Sequence, residues 1–466
     1  MALIAWLAGG AWLAIGLVAA GHALLWKRRP QAAFGWIAVC LSVPFAGALL
    51  YFLFGVNRVE TRARKLRNEY DSIAGPPVRL AAPPPERRTL AALGAHVSGR
   101  PLTVGNHVEP LHNGEQSYRA MLEAIEGATS RVLLSTYIFD SGTAGTAFAA
   151  ALAAAGARGV DVRVLVDGVG ELYSWPPARR LLRGAPVRYA RFLAPTLLPP
   201  TFHLNLRNHR KILVVDGRVA FTGGMNITSR GFVDAPGNPA PIVDLHFRIQ
   251  GPVVRQVEEV FAGDWHFTTG EEVPIPPGAD ESPGEARCRV VEDGPDGGFD
   301  RLVTLLIGAV GVARERVAIM TPYFLPPREL IGPLQATALR GVDVSVILPA
   351  RSNLPFVDRA TRHMVWELLQ RGVHVFLQPP PFAHSKFLLV DDDYALVGSA
   401  NLDPRSLRLN FEMQVEIYDD DLVASLGGHF AAVRGRSREL TLVEVDSRPL
   451  PTRLLDGGAW LFSPYL

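Results

Sequence analysis

The 466-residue chain has little cysteine and almost no excess of charge of either sign. Its two cysteines, Cys40 in an apolar run and Cys288 in a polar stretch, support neither a disulfide framework nor a cysteine-based metal site. Lysine and arginine together number 47 against 45 acidic residues, so no basic excess marks a dedicated nucleic-acid binder. The chain also lacks a G-x-S-x-G pattern, which argues against a serine hydrolase with a nucleophile elbow.

Charged residues are missing from two long stretches near the N-terminus, 2–25 and 31–57. Each stretch exceeds the ~20 residues with which a helix crosses the hydrocarbon of a bilayer. A cleaved signal peptide is one alternative, but no basic segment precedes the first run and a second apolar run follows at once. Buried core helices are the other alternative. The sequence therefore predicts a two-helix transmembrane hairpin over residues 1–57, with Pro44 kinking the second helix.

Basic residues lie on both sides of the second apolar run. Five of them follow it, against three in the loop between the runs, which favours a cytoplasmic main part under the positive-inside rule. The same residues either bind anionic lipid headgroups or only set the topology. A Pro-rich stretch, 75–88, predicts a stiff linker, so we assign residues 58–100 to a basic juxtamembrane and linker segment.

The remainder of the chain looks duplicated. "RVLLSTYIFD" at position 131 has a counterpart in "RVAIMTPYFL" at 316, and "RGVDVRVLVDG" at 158 matches "RGVDVSVILPA" at 340. Apolar runs of strand length alternate with Ala- and Leu-rich helical stretches, as in the βαβ units of an α/β sandwich. Coincidental likeness of ordinary βα units is the alternative. We predict two similar α/β halves, residues 101–285 and 286–466.

Each half contains one copy of the pattern His-x-Lys-x4-Asp. A single His-x-Lys on a strand is usually a solvated edge, whereas two copies with matching surroundings favour a functional site. Along a strand, side chains two positions apart point to the same face, so each His and Lys project together. Each Asp falls at a turn, where we expect it to support the local fold by hydrogen bonds without touching a substrate. The residues are His209, Lys211 and Asp216 in the first copy, and His384, Lys386 and Asp391 in the second.

Two further residues recur after each motif. A small-residue corner leads to Asn226 in the first half and to Asn401 in the second, each 17 residues after its histidine. Small residues allow a ligand to approach the backbone, and the Asn amide can donate to an oxyanion. An acid then follows, Asp244 in the first half and Glu412 in the second. A carboxylate bonded to one imidazole nitrogen fixes the tautomer and keeps the other nitrogen available. Lysine is a poor metal ligand and no residue set has metal-ligand spacing, so no metal site is expected.

These motifs resemble the phospholipase D superfamily, in which two such halves surround one site. The segments "RNHRKILVVDGRVAFTGGMNI", "TPYFLPP" and "HSKFLLVDDDYALVGSANLDPRSLRLNFE", together with the apolar N-terminus, resemble bacterial cardiolipin synthases. The stretch before Asp244 departs from the pattern of the family, which leaves Glu412 as the better supported acid. The resemblance implies a pseudo-twofold α/β catalytic unit in the bacterial inner membrane that needs no cofactor. A cytoplasmic position of its active site is expected from the count of basic residues and not from the resemblance.

The resemblance also implies a mechanism and a substrate. His209 attacks phosphorus to form a phosphohistidine, while His384 protonates the leaving oxygen and later acts as a base. The order of the two histidines is an expectation that the sequence does not decide. Phosphatidylglycerol supplies and accepts the phosphatidyl group, giving cardiolipin and glycerol, although phosphatidylethanolamine could replace one partner. The nonbridging oxygens would be held by Lys211, Lys386, Asn226 and Asn401.

Several alternatives stay open at this point. Another phosphatidyltransferase or a hydrolytic phospholipase D would carry the same motifs, and a membrane-anchored nuclease of the superfamily would share the site. A lipid-binding protein with a dead site would usually have lost a His or Lys, and all four are present. The apolar segment 192–205 either admits acyl chains or packs on the core. Tyr137 and Tyr323, at equivalent strand ends, either line the cleft or belong to the core. Phospholipids, and not nucleic acid, are the expected partners; the oligomeric state is not readable.

Overall fold

The structure is a computed structural model that describes residues 2–27, 30–55, 82–197, 200–201, 206–276, 281–294 and 300–463. The chain separates into two compact units, Met1–Lys65 and Leu66–Leu466. The basic juxtamembrane residues and the first half of the Pro-rich stretch, 75–81, fall outside the described residues, and the apolar segment 192–205 is described only in part.

The N-terminal unit is helical. Its helices are α1 (Ala2–Trp26), α2 (Pro30–Ser42) and α3 (Pro44–Leu50), followed by a single π-helical turn, Tyr51–Gly55. The break between α2 and α3 lies at Pro44, where the sequence predicts a kink, because proline cannot donate the backbone hydrogen bond that would continue the helix. The side chains of Ala23, Cys40 and Tyr51 are buried in a small core.

No helix among the described residues is both long enough and apolar enough to cross a membrane.

The larger unit opens with a 3-10 turn, Pro85–Arg87, and α4 (Arg88–Ser98). The first half follows. Its elements are β1 (Thr103–His112), α5 (Asn113–Glu126), β2 (Arg131–Thr136), α6 (Thr143–Ala157), β3 (Asp161–Asp167), α7 (Ala178–Leu181), β4 (Arg188–Phe192), β5 (Thr196–Leu197), β6 (Pro200–Thr201), β7 (Ile212–Val215), β8 (Val219–Gly223), β9 (Ile242–Val243), β10 (Leu245–Gln250) and α8 (Val254–Thr269).

The second half repeats this order and adds helices at its end. Its elements are β11 (Ala286–Asp293), α9 (Arg301–Gly311), β12 (Arg316–Met320), α10 (Arg328–Leu339), β13 (Asp343–Pro349), α11 (Pro355–Met364), α12 (Trp366–Leu369), β14 (His374–Gln378), β15 (Phe382–Ala383), β16 (Phe387–Val390), β17 (Tyr394–Gly398), β18 (Glu412–Tyr418), α13 (Asp420–Arg436), β19 (Arg438–Glu439), α14 (Leu442–Asp446) and α15 (Leu450–Leu461).

Strand pairing confirms the duplication. Within the part of the chain that the structure describes, fifteen strands pair in the order β19-β14-β13-β12-β16-β17-β18-β11-β1-β10-β8-β7-β2-β3-β4. Outward from the central β1–β11 pair, the strands of the first half correspond one by one to β11, β18, β17, β16, β12, β13 and β14. In both halves the βαβ strands are parallel, β2 with β3 and β12 with β13, and the two motif strands form antiparallel hairpins, β7–β8 and β16–β17. The predicted pair of α/β halves is therefore present.

Each half buries its own hydrophobic core. In the first half, α6 packs Phe148 and Leu152 against the buried faces of β2 and β3. In the second, α9 and α10 bury Leu306 and Leu334 against β12 and β13. Parallel strands covered by helices read as almost continuous runs of Val, Leu and Ile, as these do. The cores fix the ends of the strands, where the motif residues lie.

Candidate active site

The two motif histidines are anchored across the boundary between the halves. His209 precedes β7, and its backbone N–H donates to the carbonyl of Phe411 at 3.0 Å. His384 precedes β16, and its N–H donates to the carbonyl of Val243 at 2.8 Å. A parallel pairing of β9 with β15 holds the second contact in register. Each histidine is thus positioned by backbone that belongs to the other half.

The two acids cross the same boundary. Nδ1 of His209 lies 3.0 Å and 3.1 Å from the carboxylate oxygens of Glu412, and Nδ1 of His384 lies 2.7 Å from Oδ2 of Asp244. Strand register makes the two acids equivalent. Asp244 lies two residues before His246, which pairs with Gly223 at the end of β8, and Glu412 lies two residues before Gln414, which pairs with Gly398 at the end of β17. The departure from the family pattern before Asp244 therefore carries no structural consequence, and both acids take the same place.

Glu412 is held ionised by its surroundings. Its carboxylate accepts hydrogen bonds from Oγ of Ser399 at 2.5 Å and from Nδ2 of Asn410 at 3.2 Å. Burial alone acts to raise the pKa of Glu412, but His209, Lys211 and the hydrogen bond from Ser399 hold it below its ordinary value. An ionised carboxylate keeps the proton on Nδ1 of the imidazole, which leaves the lone pair on Nε2.

The halves differ in how they support their acids. Ser399 has Gly224 as its equivalent in the first half, where a Cβ would lie 2.4 Å from Oδ1 of Asp244. A side chain is therefore excluded beside Asp244 and used as a donor beside Glu412. Sequence reasoning missed Ser399 and Asn410, although both lie within the quoted second-half segment and could have been compared with their first-half counterparts.

The two motif lysines are buried beside the histidines. Nζ of Lys211 donates to the carbonyl of His209 at 2.6 Å, and Nζ of Lys386 donates to that of His384 at 2.7 Å. Burial lowers the pKa of Lys211 to about 7 and the pKa of Lys386 to about 8, and the charge of Lys386 also lowers that of Lys211. Two buried ammonium groups so close together favour the binding of an anion.

Both imidazoles are neutral near pH 7. Burial lowers the pKa of His384 to about 4, and the neighbouring Lys386 adds to this effect. Burial likewise lowers the pKa of His209, which Glu412 offsets only in part. An anion between these groups raises the pKa of every one of them, because it favours each protonated form. Such a site is suited to binding an anion and to donating a proton once the anion is bound.

The motif aspartates make the structural hydrogen bonds that the sequence predicts. The carboxylate of Asp216 accepts from the backbone N–H groups of residues 129–131, at 2.8 to 2.9 Å, and Asp391 accepts from those of residues 314–316. In the second half Nη2 of Arg87 joins at 2.7 Å. Partial burial acts to raise the pKa of Asp216, but these bonds lower it to about 2. Both aspartates fix the loops before β2 and β12.

We expect Asp216→Ala to lower the free energy of unfolding by roughly 2–3 kcal/mol, since it removes hydrogen bonds to a charged acceptor. Asp216→Asn is the matched control, because Asn keeps one acceptor and tolerates the left-handed backbone at φ 54°. Urea unfolding at pH 7 measures both variants. The difference in free energy of unfolding between wild type and Asp216→Ala should shrink as the pH falls from about 4 to 2, where the wild-type carboxylate takes up its proton. A loss of stability that is the same at every pH would contradict this role.

The corner asparagines bond within their own halves. Oδ1 of Asn226 accepts from the N–H of Ile138 at 3.2 Å, and Nδ2 of Asn401 donates to Oγ of Ser406 at 3.1 Å. Oδ1 of Asn401 is buried without a hydrogen-bond partner among the described residues. Because the Ser406 hydroxyl can also donate, a flipped amide satisfies the same bond and places Nδ2 at the buried position without a partner. Their role as phosphate donors stays a prediction.

Aromatic rings adjoin both histidines. The Tyr137 ring lies edge-on to the His209 ring at 5.4 Å, and Nζ of Lys211 lies 5.7 Å from the centre of the Tyr137 ring. The Tyr323 ring lies 6.5 Å from that of Phe382, which in turn lies 5.9 Å from the His384 ring. Tyr137 therefore contacts the site directly, whereas Tyr323 reaches it through a neighbour.

The prediction that Tyr137 and Tyr323 lie at equivalent positions of the two halves is wrong by one residue. Oγ1 of Thr136 donates to the carbonyl of Ile138, and Oγ1 of Thr321 donates to that of Tyr323. The isolated bridges of Phe139 and Phe324 continue this register. Tyr323 thus corresponds to Ile138, one position beyond Tyr137, which explains why the two rings make different contacts.

Comparison with family models and known proteins adds to this geometry. Residues 121–265 and 306–434 match the model described as "Cardiolipin synthase, PLD-like domain", and residues 12–55 match "Phospholipase_D-nuclease N-terminal". A cardiolipin synthase of Geobacillus thermodenitrificans is 31% identical, with 94% of this chain and 90% of that protein covered. Cardiolipin synthase A of Pseudomonas aeruginosa is 35% identical, with 92% and 89% covered.

Solved structures share the fold. The phosphatidylserine synthase of Haemophilus influenzae Rd KW20 superposes with a TM-score of 0.59, over 77% of this chain and 95% of that one, at 16% sequence identity. At this identity the likeness establishes the architecture alone.

Proposed function

The chain belongs to the family of cardiolipin synthases with phospholipase D-like domains, and on that premise we propose that its two halves form one active site for phosphatidyl transfer. One phosphatidylglycerol gives its phosphatidyl group to the glycerol end of a second, yielding cardiolipin and glycerol. The observation that carries the proposal is the pair of crossed carboxylate–imidazole contacts beside two buried lysines.

In the first proposed step, Nε2 of His209 attacks the phosphorus of phosphatidylglycerol. A P–N bond forms and the P–O bond to glycerol breaks. The departing oxygen takes a proton from Nε2 of His384, whose pKa the bound phosphate raises. In-line displacement places attacking and leaving atoms on opposite sides of the phosphorus, which is why two histidines from two halves are needed.

In the second step, His384 acts as a base. It takes the proton of a glycerol hydroxyl on the second phosphatidylglycerol, whose oxygen attacks the phosphorus as the P–N bond to His209 breaks. Cardiolipin leaves and both imidazoles return to their starting state. Lys211 and Lys386 hold the nonbridging oxygens throughout, with Asn226 and Asn401 as the proposed amide donors.

We also propose that residues 1–57 hold the chain in the bacterial inner membrane as a transmembrane hairpin, with the catalytic unit on the cytoplasmic side. Exposed apolar side chains in this unit support membrane contact: Val18 is 73% exposed, Leu25 79% and Phe34 74%. A linker over 58–100 and halves over 101–285 and 286–466 complete the proposed division. The starts of β1 at Thr103 and of β11 at Ala286 support these boundaries.

The test uses the purified chain in mixed micelles with phosphatidylglycerol labelled in its headgroup. Cardiolipin and free glycerol should appear in equal amounts, and His209→Ala and His384→Ala should each abolish both. Phosphatidic acid with glycerol and no cardiolipin would show that water is the acceptor. Absence of both products in active micelles would refute phosphatidyl transfer. Substituting labelled phosphatidylethanolamine as the donor tests the second donor lipid.

The pH dependence of kcat/KM should follow the lysines. Because kcat/KM reports the free enzyme, it should decline gradually above about pH 4, since neutral His384 must first take up the proton that it donates. A steeper alkaline limb should begin as the pH rises through about 7 to 8, where Lys211 and Lys386 lose the protons of the ammonium groups that bind the phosphodiester. The value of kcat should fall only at higher pH, since bound phosphate raises both pKa values. Rate profiles from pH 5.5 to 9.5 measure the two parameters.

Asp403→Asn sharpens this prediction. The buried Asp403 carboxylate raises the pKa of Lys386, so removal of its charge should shift the alkaline limb of kcat/KM to lower pH. The Asn side chain still offers an oxygen that accepts the hydrogen bond from the backbone N–H of Ser406. Asp419→Asn, at the start of α13, is the control with the same charge change, and its limb should not move. An equal shift in both variants, or none in Asp403→Asn, would contradict the assignment of the limb.

A further inference from the structure

The loop after β3 has an inverted polarity. Within residues 170–175 the apolar side chains face solvent, with Leu172 71% exposed, Tyr173 67% and Trp175 80%. The charged residue of the same loop, Glu171, is 1% exposed. Three neighbouring apolar side chains that face solvent beside a buried acid reverse the usual arrangement of a loop, which makes this loop a candidate contact surface.

The loop is held in this conformation by several contacts. Oδ1 of Asp167 accepts from the N–H groups of residues 169 and 170, each at 2.9 Å. Glu171 pairs with Arg179 and accepts from the Tyr189 hydroxyl at 3.0 Å. A Cβ at Gly170 would lie 1.7 Å from the carbonyl oxygen of Tyr137, so this close approach requires glycine. The exposure of the three apolar side chains is therefore built into the fold.

The segment that follows is strongly basic. Between positions 170 and 191, five arginines stand against the single acid Glu171. The guanidinium of Arg180 lies 4.6 Å from the centre of the Trp175 ring, which links the basic and apolar parts. The arginines are Arg179, Arg180, Arg183, Arg188 and Arg191, and all are exposed.

The loop also borders the active site. The Tyr173 ring lies 6.0 Å from that of Tyr137, whose other neighbour is the His209 ring at 5.4 Å. Tyr173 also acts on Tyr323 of the second half, where its phenol contributes to a raised pKa. The apolar loop thus lies at the rim of the site, where both halves meet.

We propose that the loop 170–175 and the basic segment that follows it, up to Arg191, dock together on a membrane. Leu172, Tyr173 and Trp175 enter the interface of a bilayer, and the arginines contact anionic headgroups. Trp and Tyr favour the headgroup level of a membrane, and basic residues beside it are attracted to anionic lipids. The docking rests on the proposed function for its purpose, since it would bring the rim of the site to phosphatidylglycerol. It is a membrane contact separate from the N-terminal hairpin.

A bilayer fits the loop better than a protein partner does. Stable protein interfaces bury on the order of 1,000 Å² or more in total, with a continuous apolar centre. Three exposed apolar side chains followed by five exposed arginines, one of them stacked on Trp175, are too small a patch for that, whereas an anionic lipid surface accepts both components. Charge complementarity therefore selects the membrane as the occupant.

The first test measures insertion in the full chain, reconstituted in nanodiscs that contain phosphatidylglycerol. In a Cys40→Ala, Cys288→Ala background, Leu172→Cys or Trp175→Cys is labelled with an environment-sensitive fluorophore. Its emission should shift to the blue and be quenched by lipids that carry a nitroxide on the acyl chain. Ala157→Cys, at the exposed end of α6 shortly before β3 begins, is the control and should show neither effect. Equal responses at positions 157 and 172, or protection without lipid quenching, would overturn the proposal, the latter in favour of a protein partner.

The second test separates docking from chemistry. Leu172→Ser with Trp175→Ser should lower turnover of bilayer phosphatidylglycerol at least tenfold, while turnover of a short-chain phosphatidylglycerol dispersed as monomers stays unchanged. Arg180→Glu with Arg183→Glu should lower bilayer turnover roughly fivefold for each arginine, an effect that high salt reduces. An equal loss on monomeric lipid would overturn the docking role. If no cardiolipin forms at all, the proposed function fails, yet the insertion measurement still decides the docking.

Discussion

Mixed with a phosphodiester whose leaving group is 4-nitrophenolate, the His384→Ala variant should release close to one equivalent of nitrophenolate per active site and then stop. Nitrophenolate departs without a proton, so attack by Nε2 of His209 needs no acid from position 384. Release of the phosphoryl group from His209 needs a base for the incoming hydroxyl, and the variant has none. Turnover should fall by about 10²–10⁴-fold, the range that general acid–base catalysis contributes.

The matched variant is His209→Ala, which should give no burst at all. A phosphorus-labelled substrate should leave acid-labile, alkali-stable label on the His384→Ala protein, mapped by mass spectrometry to the peptide containing His209. A burst in His209→Ala and none in His384→Ala would reverse the roles of the two histidines. No burst in either variant, with wild-type turnover intact, would refute a covalent intermediate.

The architecture followed from repetition in the sequence. Two His-x-Lys-x4-Asp copies and two pairs of matching strand segments predict two equivalent halves, and the strand order confirms them. The structural role of Asp216 and Asp391 could be predicted because each lies seven residues after its histidine, at the end of a short strand where the chain turns. Both aspartates have a positive φ at this turn. Local spacing decides such features, and the sequence carries local spacing directly.

The composition of the site could not be predicted in the same way. Glu412 follows His384 along the chain, and proximity in sequence says nothing about its contact with His209. That contact depends on how the halves dock, which involves the β1–β11 pairing and the backbone hydrogen bonds from His209 and His384 to residues whose side chains play no part in them. Lys211 and Lys386 were placed correctly beside their histidines, but their depressed pKa values arise from burial that only the folded halves create.

Each carboxylate contacts the histidine of the opposite half. We therefore expect substitution of either acid to produce the same defect as substitution of the histidine that it contacts. Glu412→Gln should behave like a His209 variant, with little or no nitrophenolate burst, because the amide no longer holds the proton on Nδ1. Asp244→Asn should behave like His384→Ala, with a burst and no turnover. The loss of the carboxylate that orients a catalytic histidine costs other enzymes about 10⁴-fold in kcat, so both effects should be large.

The control separates orientation from stability. Glu416 lies on the same strand as Glu412, is equally buried and pairs with Arg289 away from the histidines. Glu416→Gln should therefore destabilise the fold while leaving the ratio of burst to turnover as in wild type. If the acids instead served the histidines of their own halves, Glu412→Gln would retain the burst and Asp244→Asn would lose it. Which acid variant keeps the burst therefore depends on which half supplies each carboxylate. The contacts of His384 with Asp244 at 2.7 Å and of His209 with Glu412 at 3.0 Å assign both carboxylates to the half opposite their histidine.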